Sequence, residues 1–102
     1  MNKNMRVVEI DKTEKTVFLK DLAVNQIKKA MVYPTNTVGE LKRMIEREFN
    51  YDKGHLNGYN PRLINKGHKN GCTLDDDKKM LVEYDIKNMA TITFSKLKNI
   101  GG

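Results

Sequence analysis

Pro34-Thr35-Asn36-Thr37-Val38-Gly39-Glu40-Leu41-Lys42-Arg43-Met44-Ile45-Glu46-Arg47-Glu48-Phe49 is the stretch whose reading decides the fold. Pro34 has no N–H to give to a ladder, so a strand arriving from its N-terminal side must stop there. Thr37-Val38-Gly39-Glu40 has the form of a capping box, in which a threonine hydroxyl and a glutamate carboxylate each satisfy an orphan backbone donor. The spacing therefore predicts a helix from Val38, about three turns long. Val38, Leu41, Ile45 and Phe49 fall on one stripe, bordered by Met44 and Glu48, while Lys42, Arg43, Glu46 and Arg47 are expected on the polar side. One amphipathic helix must lay its stripe on something, and the flanking segments read as strands.

Toward the N-terminus, Thr16 to Leu22 is β-rich, with Val17 and Leu19 on one face and Phe18 and Lys20 on the other. Ile27 to Tyr33 is a second strand-like run in which Ala30 and Val32 share a face, and the short link between the two predicts a hairpin turning near Asn25-Gln26. Toward the C-terminus, Asn50 to Pro61 reads as a surface loop and Arg62 to Asn65 as a short strand. After a Gly-bearing turn at 66–71, Cys72-Thr73-Leu74 forms a weaker segment. Asp75 to Val82 is expected to carry one helical turn anchored by Met80 and Leu81. Ala90 to Ser95 alternates strictly, with Ile92 and Phe94 inward and Thr91, Thr93 and Ser95 outward. The order strand, strand, helix, strand, short turns, strand is an α+β roll: one main helix packed on a mixed sheet of four or five strands.

The rest of the composition limits what such a roll can do. The sequence has 102 residues, one Cys and no Trp, which is enough for one compact core but not for two. Residues 1–15 mix charge and polarity around Val7, Val8 and Ile10 and are expected to be a flexible extension. The domain proper is expected over 16–97, and a flexible tail over 98–102. No stretch has the length of a membrane span and the first ten residues lack a secretory apolar run, so a soluble intracellular protein, cytoplasmic or nuclear, is expected. The net charge of +6 is scattered and interleaved with acids, which favours solvated surface over a nucleic-acid patch.

Catalytic signals are poor, and no enzyme, cofactor or metal is expected. His55 and His68 lie in Gly/Asn-rich loops without a carboxylate or thiol partner at a defining spacing. Cys72 reads as a small half-buried residue, and Asp75-Asp76-Asp77 as a solvated turn lacking the alternating ligands of a calcium loop. The Gly101-Gly102 pair is more informative. Neither glycine has a Cβ, so such a pair can thread a narrow channel with its carboxyl carbon open to attack.

Pro61-Arg62-Leu63-Ile64 followed by Lys66-Gly67, then Thr73-Leu74, Tyr84-Asp85-Ile86, Thr91-Ile92 and Gly101-Gly102, resembles ubiquitin and its relatives. The stretch from Pro34 to Ile45 is similar as well, so the resemblance covers about residues 16–102. It implies a β-grasp fold and a divergent ubiquitin-like modifier. Gly102 would be adenylated by an activating enzyme, passed as a thioester to enzyme cysteines and joined to a target lysine. Leu22 and Ile64 would belong to a hydrophobic recognition patch. Arg62, with Lys96, Leu97 and Lys98 of the tail, would face the activating enzyme, while Thr37 and Tyr84 would be structural. The implied partners are activating, conjugating and ligase-type enzymes, a deconjugating protease and target lysines, with neither nucleic acid nor membrane among them. Thr93 and Ser95 make the implied patch more polar than ubiquitin's, and His68 and Asn88 stand where ubiquitin has chain-forming lysines. A ubiquitin-like binding domain that is never conjugated and recruits a protein or nucleic-acid partner, and a sulfur carrier with a C-terminal thiocarboxylate, are the alternatives.

Overall fold

The structure, a computed structural model, describes residues 12–67 and 70–95. Most of the N-terminal extension, His68, and Lys96, Leu97, Lys98, Gly101 and Gly102 lie outside the described residues. Five strands, β1 (Lys15–Asp21), β2 (Gln26–Val32), β3 (Arg62–Ile64), β4 (Cys72–Thr73) and β5 (Ala90–Phe94), form one mixed sheet in the order β2-β1-β5-β3-β4. The first and last strands are its parallel centre; the other pairings are antiparallel. Strand β1 takes in Lys15, which sequence assigned to the extension, and ends before Leu22, which belongs to the hairpin turn. That turn closes on Asn25 at φ 54, the left-handed region that asparagine tolerates better than most residues.

Helix α1 spans Val38–Glu48. Glu40 N–H donates to the Thr37 hydroxyl (3.1 Å) and Thr37 N–H to the Glu40 carboxylate (2.7 Å), closing both halves of the capping box. At the other end Asn50 turns left-handed (φ 57), and the amides of Asn50 and Tyr51 bond back to the carbonyls of Arg47 and Glu46. This is the Schellman arrangement, with asparagine where glycine is usual. The stripe Val38, Leu41 and Ile45 is fully buried against Val17, Leu19 and Ile92, and Phe49 meets Phe94 edge-on at 5.1 Å.

Two side chains placed on the polar side of the helix are in fact buried: Lys42 is 1% and Glu46 2% exposed. Each faces a loop from elsewhere in the chain. Lys42 Nζ sits 2.7 Å from Asp77 Oδ1, and the Glu46 carboxylate accepts the amides of Gly54 (3.0 Å) and Leu56 (2.7 Å). The loop 50–61 is thus folded over the helix end rather than lying free, with Leu56 entirely inside the core.

The helical turn expected within 75–82 is displaced to a 3-10 turn at Leu81–Tyr84. The preceding acidic run is held instead by four contacts. The Tyr84 hydroxyl accepts the Asp76 amide and donates to Asp75 Oδ1, both at 3.2 Å; Asp77 pairs with Lys42; and the Asp77 carbonyl accepts the Gly39 amide at 3.0 Å. Burial and the Asp75 carboxylate both push the Tyr84 hydroxyl pKa up. Cys72, expected half-buried, is exposed because β4 is a two-residue strand at the edge of the sheet.

Candidate functional site

Register assigns every strand residue to one of two faces. The helix covers the face of Val17, Leu19, Ala30, Val32, Leu63 and Ile92. The outer face carries Thr16, Phe18 and Lys20 from β1; Ile27, Lys29 and Met31 from β2; Thr91 and Thr93 from β5; Arg62 and Ile64 from β3; and Thr73 from β4. Two rows run across it. One is Lys29-Phe18-Thr91-Ile64 and the other Ile27-Lys20-Thr93-Arg62-Thr73. None of these positions holds a carboxylate, while Lys20, Lys29 and Arg62 hold cations. Ile27 (58% exposed) and Met31 (44%) extend the apolar surface onto the edge strand.

The structure does not bring Leu22 and Ile64 together. Leu22 N–H bonds to the Phe94 carbonyl (2.9 Å), whereas Ile64 stands opposite Thr91. Three residues along β5 and two strand spacings across give a separation of about 14 Å, with the Lys20-Thr93-Arg62 row between them. Ile64 shares its row with Phe18 instead. Leu22, 51% exposed, forms a separate apolar tip with Val24, 57% exposed, in the hairpin turn. Sequence could not show this, because relative register between β3 and β5 depends on the loops joining them.

Arg62 is exposed and its guanidinium donates to the Thr73 hydroxyl at 3.0 Å, which orients it along the face. Gly71 approaches so closely that a Cβ there would stand 3.1 Å from both Ile64 Cγ1 and Arg62 Nη2. Ile64 is consequently half-buried. Thr93, expected outward and solvated, is on the outer face but only 9% exposed. It stands in the central strand between Lys20 and Arg62, two long side chains in register with it.

The residues considered for chemistry do not converge. The His55 ring stacks on Tyr51 (4.3 Å), and Cys72 is on the far edge strand. No cluster of three or more metal-ligating side chains occurs among the described residues. No described helix is long and apolar enough to cross a membrane.

Comparison of the architecture with solved structures settles the fold. The C-terminal ubiquitin-like domain of mouse tubulin-specific chaperone e superposes with a TM-score of 0.69 at 14% identity, covering 95% of this chain and all (100%) of that domain. A ubiquitin-like domain of an Arabidopsis thaliana protein superposes with a TM-score of 0.61 at 24% identity, covering 100% of this chain and 92% of that one. The chain has the ubiquitin-like fold. No family model matches it, and no curated protein does. The β-grasp expectation from sequence is therefore correct: one helix on a mixed five-stranded sheet. This fold carries many functions, so what the chain does depends on the side chains its surface presents.

Proposed function

We propose that this ubiquitin-like domain is a protein-docking module without catalysis of its own, presenting the outer face of its sheet to an acidic, partly apolar segment of a partner. The observation that supports this is the composition of that face: Phe18 and Ile64 in one row, Lys20, Lys29 and Arg62 around them, and no carboxylate in register. Apolar side chains supply the area that drives association, and a rim of one sign selects partners of the other sign and speeds their encounter. Both solved relatives are described as domains, one of them the C-terminal domain of a chaperone.

The test compares proteins retained from the native host by the wild-type chain and by variants. Ile64→Ala should weaken retention by more than about 1 kcal/mol, since a few desolvated side chains commonly dominate such an interface. Lys20→Glu with Arg62→Glu should abolish it, and added salt should weaken the wild-type complex. Retention unchanged by all three substitutions would refute the reading.

A second reading is conjugation through Gly102, supported by the Gly101-Gly102 pair. Lys96, Leu97 and Lys98 would lead the tail to an activating enzyme; adenylation would give the carboxylate a leaving group, and a thioester would carry it to a target lysine. ATP added to host lysate should then produce thiol-labile adducts of the tagged chain. Deleting Gly101 and Gly102 should remove them while leaving docking intact. A thiocarboxylate mass at Gly102 in protein from its own cells would assign the sulfur-carrier alternative.

A further inference from the structure

The polar side of α1 and the loop after it enclose a second feature, on the side of the helix away from the sheet and independent of the docking face. Arg43, Glu46, Arg47, Tyr51 and Lys53 line an open pocket of about 360 Å³. Arg43 and Arg47 stand one turn apart on the same helix face, where two like charges repel by about 0.2–0.5 kcal/mol. Lys53 comes from the loop and adds a third positive charge.

The one carboxylate in the lining is already committed. Glu46 is 2% exposed and accepts two backbone amides, at 3.0 Å from Gly54 and 2.7 Å from Leu56. Its Oε1 lies 3.1 Å from Arg43 Nε, in a geometry that leaves that nitrogen without a hydrogen bond. Arg43 Nη2 donates to Asn57 Oδ1 at 2.6 Å, which fixes the guanidinium in place. Arg47 and Lys53, in contrast, form no ion pair with any described residue. Formal charge around the pocket is +3 from the cations and −1 from Glu46, a net +2.

Tyr51 provides the apolar wall. Its hydroxyl is turned away to the Asp21 carboxylate and its ring is packed parallel to His55 and Phe49, so Tyr51 lines the pocket without bringing a free acceptor to it. The helix C-terminus contributes a partial negative charge that opposes an anion, an effect of about 0.3–1 kcal/mol at an exposed site. Three converging cations outweigh that.

We infer that the pocket formed by Arg43, Arg47, Lys53 and Tyr51 binds a phosphomonoester. A dianion matches the net charge, the arginine forks match phosphate oxygens, and the Tyr51 wall takes the carbon skeleton of the ester. The ester can belong to a free small molecule or to a phosphorylated side chain of a partner protein, and the chemistry at the pocket is the same.

The test titrates the isotope-labelled full chain, at fixed ionic strength, with phenyl phosphate, a neutral peptide carrying one phosphoserine, and sulfate, following backbone amide shifts. At least one of the two esters should give saturable shifts centred on residues 43–57 at concentrations below about 5 mM. Arg47→Gln and Lys53→Gln, both at exposed positions, should each weaken that binding about fivefold or more, in keeping with the loss of a charge-assisted contact. Lys20→Glu should leave it unchanged, which separates this result from that for the docking face. Tighter binding of the peptide assigns the group to a modified protein, and tighter binding of phenyl phosphate to a free ester. No saturation with either ester, equal affinity for sulfate, shifts as large around Lys20, Lys29 and Arg62, or affinity unaffected by both glutamine variants would each overturn the inference.

Discussion

The Tyr51 hydroxyl donates to Oδ2 of Asp21, joining the segment that leaves the helix to the last residue of the first strand. Asp21 is 1% exposed, and its other oxygen accepts the Ala23 amide at 2.9 Å, so the carboxylate also organises the hairpin turn that carries Leu22. A buried carboxylate persists only where donors replace water, and here the side chain and the turn supply them.

The pairing has a pH signature. Donation to Asp21, then burial, then the carboxylate charge push the Tyr51 pKa from 10.0 to about 12. Because the folded value is raised, the contribution to stability is complete below pH 10 and is lost as pH rises from 10 toward 12. Tyr51→Phe should cost about 1.5–3 kcal/mol at neutral pH, the usual range for a hydrogen bond to a charged group. The gap between wild type and variant in urea midpoint should then close through that alkaline window. A constant gap would mean that ring packing, not the hydroxyl, carries the effect.

Glu46 tests how the long loop is held. Among the described residues its carboxylate is the acceptor for the Gly54 and Leu56 amides, and Leu56 is fully buried. Glu46→Ala should destabilise by about 3 kcal/mol or more, since each buried amide left without a partner costs about 1–3 kcal/mol. Glu46→Gln keeps one acceptor oxygen and should lose less. Native-state hydrogen exchange should show the amides of Gly54 and Leu56 accelerating first. If the two exchange no faster than the rest of the core, the loop is held by Leu56 packing alone.

These two carboxylates also show what the sequence made legible. The helix was readable because capping box and stripe are local patterns, and the alternation in the first and last strands gave the core face directly. The burial of Lys42 and Glu46 was not readable. Their partners, Asp77 and the amides of Gly54 and Leu56, are brought there by loops whose path no periodicity describes. The candidate site divides in the same way. That Phe18, Lys20, Arg62 and Ile64 face outward follows from a period of two. That Ile64 stands opposite Thr91, and therefore away from Leu22, depends on a register set by loop length and packing.

Lys42 and Asp77 supply a third prediction. The ammonium is almost fully buried, whereas the carboxylate that faces it is 54% exposed. Asp77→Ala leaves a buried charge without its counter-ion and should cost about 3–5 kcal/mol. Lys42→Met removes the charge together with its need for a partner, and should be near neutral or stabilising. In the Lys42→Met background, Asp77→Ala should then cost less than about 1 kcal/mol, because backbone bonds from Gly39 and Val38 still hold the segment. Additive losses would show that Asp77 stabilises its own turn rather than the lysine.

The final prediction concerns the close approach that half-buries Ile64. A Cβ on Gly71 would stand 3.1 Å from Ile64 Cγ1 and from Arg62 Nη2, tighter than carbon contacts normally permit. The guanidinium is the end of a flexible chain and can swing aside at the expense of its bond to Thr73, but Ile64 Cγ1 is fixed near the backbone. Gly71→Ala should therefore cost about 1 kcal/mol, within the range for overpacking. Ile64→Ala removes the opposing carbon. In the double variant the penalty of the added methyl should largely vanish, giving a coupling energy of at least about 0.5 kcal/mol in thermal or urea unfolding. Arg62→Ala in place of Ile64→Ala should relieve less. Strict additivity with Ile64→Ala would mean that Gly71 moves freely away from β3, and that Ile64 is more open to a partner than its half-burial indicates.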